Sequence, residues 1–379
     1  MKVPFYRHDL GRSDAERIAD VLASPILTSG EVGKRVEAQL AAYFGLPHAA
    51  LVSSWTNGAV AALLALDIGD GDEVIVPAMT FIATSNVVEH VGAKPVFVDV
   101  DPATLLLTPE GVARALTPRT KAVVPVHLYG LMCDMRGIAD ALRTRPDVAI
   151  VEDAAHAFEA KYLGEHPGAR STMAIFSFYA TKNVTCGEGG AIVCRDSALH
   201  TKIQETRLHG MSAGAADRFR GGMYRHWDMT RLGVKANLPD LLAALLPPQI
   251  ATIDARLPRR EVLARRYEDA FRGTALRLVA GDARALHARH LFCVGVPGGA
   301  RDEALATLGR EGVGATVNYR SVPTLTWYRE RYGFTPADHP VSHAWGEATL
   351  TLPLFPSLSD AEQQHAIDVV RTHVLPLLR

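Results

Sequence analysis

Between residues 49 and 153, short runs of apolar, β-branched residues recur with helical stretches between them, and no other feature narrows the possible folds as much. AALVS (49–53) precedes TNGAVAALLAL (56–66), and EVIVP (73–77) precedes TFIATSNVVEHVG (80–92). PVFVDV (95–100), KAVVPVH (121–127) and VAIVED (148–153) continue the series. The runs lack polar alternation, as burial on both faces requires, so the pattern predicts a parallel sheet of βαβ units covered by helices on both sides. Upstream, 13–22 and 33–43 have helical spacing, the first behind a capping Ser and the second stopping at Gly45. Downstream, AIFSFYA (174–180) and AIVC (191–194), with the Gly-rich GEGG (187–190) between them, read as strands returning to the same sheet. An Arg-rich stretch follows at 218–233, and residues 256–272 read as a long surface helix leading into a smaller lobe. That lobe carries a strand at 290–296, a helix at 301–312, a strand VNYR (317–320) and a last helix at 359–378. The expected division is a large α/β domain, 1–255, and a small α+β domain, 256–379.

Composition serves to exclude. With 40 Lys+Arg against 41 Asp+Glu, the net charge of −1 gives no electrostatic case for nucleic acid or a membrane surface as partner. The four cysteines (133, 186, 194 and 293) form no C-x-x-C pair and no His/Cys cluster, so neither a disulfide framework nor a metal site is expected. The first residues are charged throughout, and nowhere do 18 apolar residues run together, so the expected location is the cytoplasm. No G-x-G-x-x-G follows the first strand, which excludes a Rossmann-type dehydrogenase.

Open parallel sheets bind ligands outside the carboxyl ends of their strands. Three such ends carry polar groups. AALVS runs into Ser53-Ser54-Trp55-Thr56-Asn57-Gly58 and then a helix, which sets N–H groups and a positive dipole end at a small-residue turn, a seat for phosphate. Alone, the turn also reads as an ordinary N-cap. VAIVED ends on Asp153, followed by Ala154, Ala155 and His156. An acid at a buried strand end needs a partner, and a protonated ring nitrogen is one; an N-cap or salt bridge is another. The third end is Ser177 to Lys182 with GEGG close behind. Only eight of the 40 basic residues are lysine, and Lys182 alone stands in an apolar, aromatic segment with glycines close behind it. Desolvation makes an amine a nucleophile able to form a Schiff base, although a lone lysine in such a segment can equally snorkel to solvent. Phosphate seat, acid and lysine at successive strand ends are together the groups that pyridoxal phosphate demands.

VEDAAHAF (151–158) and AIFSFYATKNVTCGEGGAIV (174–193) resemble the signature of the StrS/DegT-type sugar aminotransferases, fold-type I pyridoxal-phosphate enzymes. The likeness extends through PAMTFIATSN, FVDVDPATL, VPVHLYG and KANLPDLLAA and covers essentially the whole chain. It implies a mostly parallel seven-stranded sheet with a smaller α+β domain. It also implies that Lys182 bonds the cofactor and shuttles the proton between cofactor and substrate carbons, while Asp153 keeps the pyridine nitrogen protonated. Thr56, Asn57 and Ser177 would hold the phosphate, with Asn237 of KANLPD reaching it from a second subunit of a homodimer. Phe81 would stack on the ring, and His156 would face its O3′ side. The implied reaction takes the amino group of L-glutamate, passes through pyridoxamine phosphate, and delivers the amine to a nucleotide-linked keto sugar, at C4 of a UDP- or dTDP-4-keto sugar. Lys182 argues against the family's dehydratases, in which histidine replaces it. Thr28, His209, Tyr319 and Arg320 are the candidate sugar contacts. Asn318-Tyr319-Arg320 followed by Pro323 departs from the His-aromatic-Arg pattern of the UDP-sugar C4 enzymes, which keeps two alternatives open: a keto-inositol acceptor and a cofactor-binding regulator without turnover.

Overall fold

The computed structural model describes residues 1–212 and 226–378, so residues 218–225 of the Arg-rich stretch lie outside the described residues. Seven strands form the central sheet: β1 (His48–Val52), β2 (Glu73–Pro77), β3 (Lys94–Val98), β4 (Thr120–Val123), β5 (Ala149–Asp153), β7 (Met173–Ser177) and β8 (Gly190–Cys194). The two-residue β6 (Lys161–Tyr162) pairs outside it with β10 (Ala285–Leu286). Their order is β1-β8-β7-β5-β4-β2-β3. From β7 to β3 every pairing is parallel, whereas β8 runs antiparallel to both neighbours, β7 and β1. The sheet is thus open, mostly parallel and seven strands wide.

The strands' period of two explains why they need no polar residues. Leu51, Ile75, Val123, Ile150 and Phe176 join one core with helices α2 (Glu31–Phe44) and α6 (Met135–Ala141). Val52, Val74, Val76, Val151 and Ile175 join a second core on the opposite face with α3 (Trp55–Ala65), α4 (Ala83–His90) and α7 (Ser197–Thr206). The remaining helices before the sheet's end are α1 (Arg12–Leu22) and α5 (Pro109–Ala115). β4 stops at Val123 rather than running to residue 127, since Pro125 has no N–H to give the ladder. The chain still tracks β5: the Asp153 N–H donates to the Pro125 carbonyl at 2.9 Å, and the His127 N–H to the Asp153 carbonyl at 3.0 Å.

Beyond the short α8 (Asp240–Ala243), α9 spans Pro247–Phe271. It begins nine residues before the start expected from sequence, because Pro247 and Pro248 occupy the first turn, where an N–H would have no intrahelical acceptor. Nor is it a surface helix: Ile250 and Ile253 pack into the sheet core, while Leu263, Tyr267 and Phe271 belong to a third core. Residue 255 falls in the middle of this continuous helix. The third core is built on a three-stranded antiparallel sheet of β9 (Arg277–Leu278), β11 (Phe292–Gly295) and β12 (Thr349–Leu352), in the order β12-β11-β9. Helices α10 (Arg301–Arg310) and α13 (Asp360–Val369) cover it, with α11 (Thr326–Tyr332) and α12 (Pro340–Ala348) between. Residues 317–320 are not a strand; only single bridges, Thr316 to Thr351 and Met79 to Ser321, flank them.

Candidate active site

Register alone assembles the site. Asp153 pairs with Ile175 on parallel strands, which puts Asp153 and Ser177 at one end of the sheet. Ser177 is opposite Gly190, and Gly190 is opposite Val52, so the turn after β1 lies in line with Ser177 across one glycine. A Cβ on Gly190 would stand 2.6 Å from the Phe176 carbonyl oxygen and 3.0 Å from the Trp55 nitrogen, too close for any other residue without movement. The N-terminus of α3 therefore reaches the end of β7 only over glycine. Ser54 caps that helix, its hydroxyl accepting the Asn57 N–H at 3.0 Å. The N–H groups of Trp55 and Thr56 have no acceptor within their own helix, and they add its dipole to an anion seat.

These elements enclose a cavity of about 560 Å³ whose wall includes Thr56, Phe81, Asp153, His156, Ser177, Lys182 and Tyr319. Asp153 is buried at its base. Thr84 donates to its Oδ2 at 2.9 Å and the Ala155 N–H to its Oδ1 at 3.1 Å. Burial pushes its pKa up, and the two donors, Lys182 and His127 only partly offset this. An acid so placed favours a cationic or proton-bearing partner in the cavity. Lys182 is pushed down to about 8 by burial, against the opposing pull of the Asp153 charge. It is thus a nucleophile at ordinary pH, where a solvated lysine is not. His156 accepts the Tyr129 N–H on Nδ1 at 3.2 Å and meets the Tyr319 hydroxyl with Nε2 at 3.2 Å. Burial, then Lys182 and His290, hold it well below the usual histidine range. Phe81, 52% exposed, stands at the rim with its ring centroid 5.5 Å from that of Tyr319. Tyr319 is held by its neighbour, whose carbonyl accepts the hydroxyls of Tyr129 and Thr349.

The other candidates lie elsewhere in the single chain. Asn57 turns its amide to the Ser53 hydroxyl, at 3.0 Å, and does not line the cavity. Thr28, His209 and Arg320 are exposed and outside it. Asn237 donates to Ser29 at 2.8 Å in a separate cavity of about 410 Å³, and its buried Oδ1 has no hydrogen-bond partner among the described residues. The acid of the same KANLPD segment has a structural role: the Asp240 carboxylate accepts the N–H groups of Gly30, Val32 and Gly33 at the start of α2. Sequence reading missed Thr84, whose hydroxyl also meets that of Thr80 at 2.8 Å. It also missed Phe5 and Thr316 in the cavity wall, for which no local pattern exists.

A buried acid, a desolvated lysine and a helix N-terminus at the carboxyl ends of a mostly parallel sheet are the marks of a fold-type I pyridoxal-phosphate enzyme, and these residues fit that cofactor. The description DegT/DnrJ/EryC1/StrS aminotransferase family matches residues 8–371. Among solved structures, Spr1654 of Streptococcus pneumoniae, described as a sugar aminotransferase and solved in its PMP form, is 30% identical, with all of both chains covered and a TM-score of 0.93. DesV of S. venezuelae, in complex with a ketimine intermediate, is 33% identical over 98% of each chain, with a TM-score of 0.89. The aminotransferase TlmJ of Streptoalloteichus hindustanus is 29% identical over all of both chains, with a TM-score of 0.90. The chain belongs to the DegT/DnrJ/EryC1/StrS aminotransferase family. It is a sugar aminotransferase that uses pyridoxal 5′-phosphate, with pyridoxamine 5′-phosphate as the aminated form.

Proposed function

We propose that this enzyme takes the amino group of L-glutamate and delivers it to a nucleotide-linked keto sugar, at C4 of a UDP- or dTDP-4-keto sugar. The observation that carries the reading is the convergence of Lys182 and Asp153 in one cavity beside the N-terminus of α3. Bound pyridoxal phosphate supplies the electron sink that lets an amino group change carriers. With the cofactor bound, Lys182 would be the amine that bonds it and would carry the proton between the substrate carbon and the cofactor. Asp153 holds the ring nitrogen protonated, since its buried carboxylate needs a positive partner. Thr56 and Ser177, with the N–H groups at the start of α3, hold the phosphate. Phe81 would lie against the ring, and the His156 Nε2–H, which here meets the Tyr319 hydroxyl, would donate at its oxygen side. A cavity of about 560 Å³ has room for cofactor and sugar together, and the exposed aromatics Phe81 and Tyr179 at its rim suit a sugar face.

In a homodimer the Asn237 side chain would donate from its Nδ2, which here reaches Ser29, to the partner's phosphate; Thr28, His209 and Arg320, exposed on this chain, would meet the acceptor at the same shared boundary. The test is spectroscopic. L-glutamate should bleach the visible band of the lysine-bound cofactor, and one member of a panel of nucleotide-linked 4-keto sugars should restore it. Restoration by a keto-inositol instead would move the acceptor to that class, and a band that glutamate leaves unchanged would favour a regulator without turnover.

A further inference from the structure

Behind His156 the cavity wall continues into buried polar groups that the steps above do not use. The His156 Nδ1 accepts the Tyr129 N–H, so in this arrangement the ring's proton is on Nε2. The His290 ring lies against His156, centroids 4.4 Å apart. The His290 Nδ1 is 3.1 Å from Oδ1 of Asn183, and the orientation of that amide is fixed. Its Nδ2 donates to both Glu159 oxygens, at 3.0 and 3.3 Å, and to the Ala288 carbonyl at 3.2 Å. Glu159 is the buried ion-pair partner of Arg260 on α9, and the Arg260 Nε donates to the same Ala288 carbonyl at 3.2 Å. Since the Asn183 oxygen can only accept, His290 carries its proton on Nδ1.

We propose that Asn183 and His290 are positioning residues of this active site: by tying the Lys182 loop to the C-terminal lobe they hold the His156 ring in the orientation in which its Nδ1 meets the Tyr129 N–H, and that bond keeps the proton on Nε2, beside the Tyr319 hydroxyl at the cavity. The inference rests on the reading of Lys182 as the cofactor-bonding amine, to which Asn183 is the next residue. Its chemical consequence is a division of labour. The groups facing His290 are His156, Lys182, Arg260 and His287; the Glu159 carboxylate beside them is already engaged by Arg260 and Asn183, and on the cavity side the Asp153 carboxylate is opposed by Lys182. A proton added to either ring has no counter-charge left, so His156 remains a neutral donor and does not compete for the proton that Lys182 carries.

Two experiments decide it. In cofactor-free protein labelled with ¹⁵N-histidine, between about pH 5.5 and about 8, both rings should stay neutral, His156 as the Nε2–H form and His290 as the Nδ1–H form. His156→Gln and His290→Phe spectra assign the signals. Titration of either ring in that range, or the opposite tautomers, overturns the proposal, and this needs no functional variant. In His290→Phe and Asn183→Leu, the visible cofactor band should still form. The half-reaction with L-glutamate should slow about tenfold with little change in donor KM, and His156 should lose its single tautomer. Unchanged His156 signals and an unchanged half-reaction would make His290 a packing residue only. Failure of the unsubstituted protein to form a visible band with pyridoxal phosphate would instead defeat the Lys182 reading, with the tautomers still measurable.

Discussion

A lysine in water keeps its proton to about pH 10.4, whereas burial pushes Lys182 down to about 8. The neutral, nucleophilic fraction therefore grows as pH rises toward 8 and is nearly complete above about 9. Capture of pyridoxal phosphate by the cofactor-free protein, followed as the growth rate of the visible band, should rise through that window and then level off; a midpoint near 10 would show an unperturbed amine. Lys182→Ala should lose the visible band and all turnover while its melting temperature stays within a few degrees of the parent, since the side chain lines the cavity rather than the packed core. Asp153→Asn should keep some cofactor but lose turnover at least about a hundredfold, because a neutral amide does not hold a ring nitrogen protonated. A kcat within a factor of two of the parent would remove Asp153 from the mechanism. Lys182 and Asp153 were legible in sequence because their neighbours along the chain are diagnostic: one is an acid closing an apolar run, the other a lone lysine among aromatics. Thr84 was not, since a threonine in a helix looks the same whether or not a carboxylate lies 2.9 Å away.

Among the elements, the β8 start decides how closely α3 approaches β7. Gly190→Ala inserts a methyl carbon within 2.6 Å of the Phe176 carbonyl oxygen, with the Trp55 nitrogen also at 3.0 Å. The variant should lose about 1–3 kcal/mol of stability, and its affinity for the cofactor phosphate should fall, because the N–H groups of α3 must move away from Ser177. Thermal denaturation with and without pyridoxal phosphate measures both; equal midpoints in parent and variant would mean the helix has room to spare. The same element level shows why strand ends were harder to place than strands. KAVVPVH is apolar from Ala122 to Val126, yet β4 closes at Val123, because Pro125 breaks the ladder while its carbonyl still fixes the Asp153 N–H.

Across the molecule, α9 packs apolar residues into both lobes and also carries a buried charge pair, Arg260 with Glu159. Glu159→Gln leaves the Arg260 guanidinium buried without its counter-charge, and should cost about 3–5 kcal/mol in thermal or denaturant unfolding. If Asn237 completes a partner's site, mixing Lys182→Ala with an Asn237→Ala variant under subunit exchange should restore activity that neither has alone; no recovery would confine each site to one chain. Among the described residues no helix is long and apolar enough to cross a membrane. The sequence by itself determined the sheet, its two helical layers and the candidate lysine and acid, because period-two burial and strand-end chemistry are local patterns. Only the tertiary structure decided that β8 runs antiparallel, that one helix spans residues 247–271 through both lobes, and that Thr84, Asn183 and His290 gather behind Asp153 and His156. Those relations depend on residues up to about a hundred positions apart meeting in space, as Asn183 and His290 do, and no period along the chain encodes that meeting.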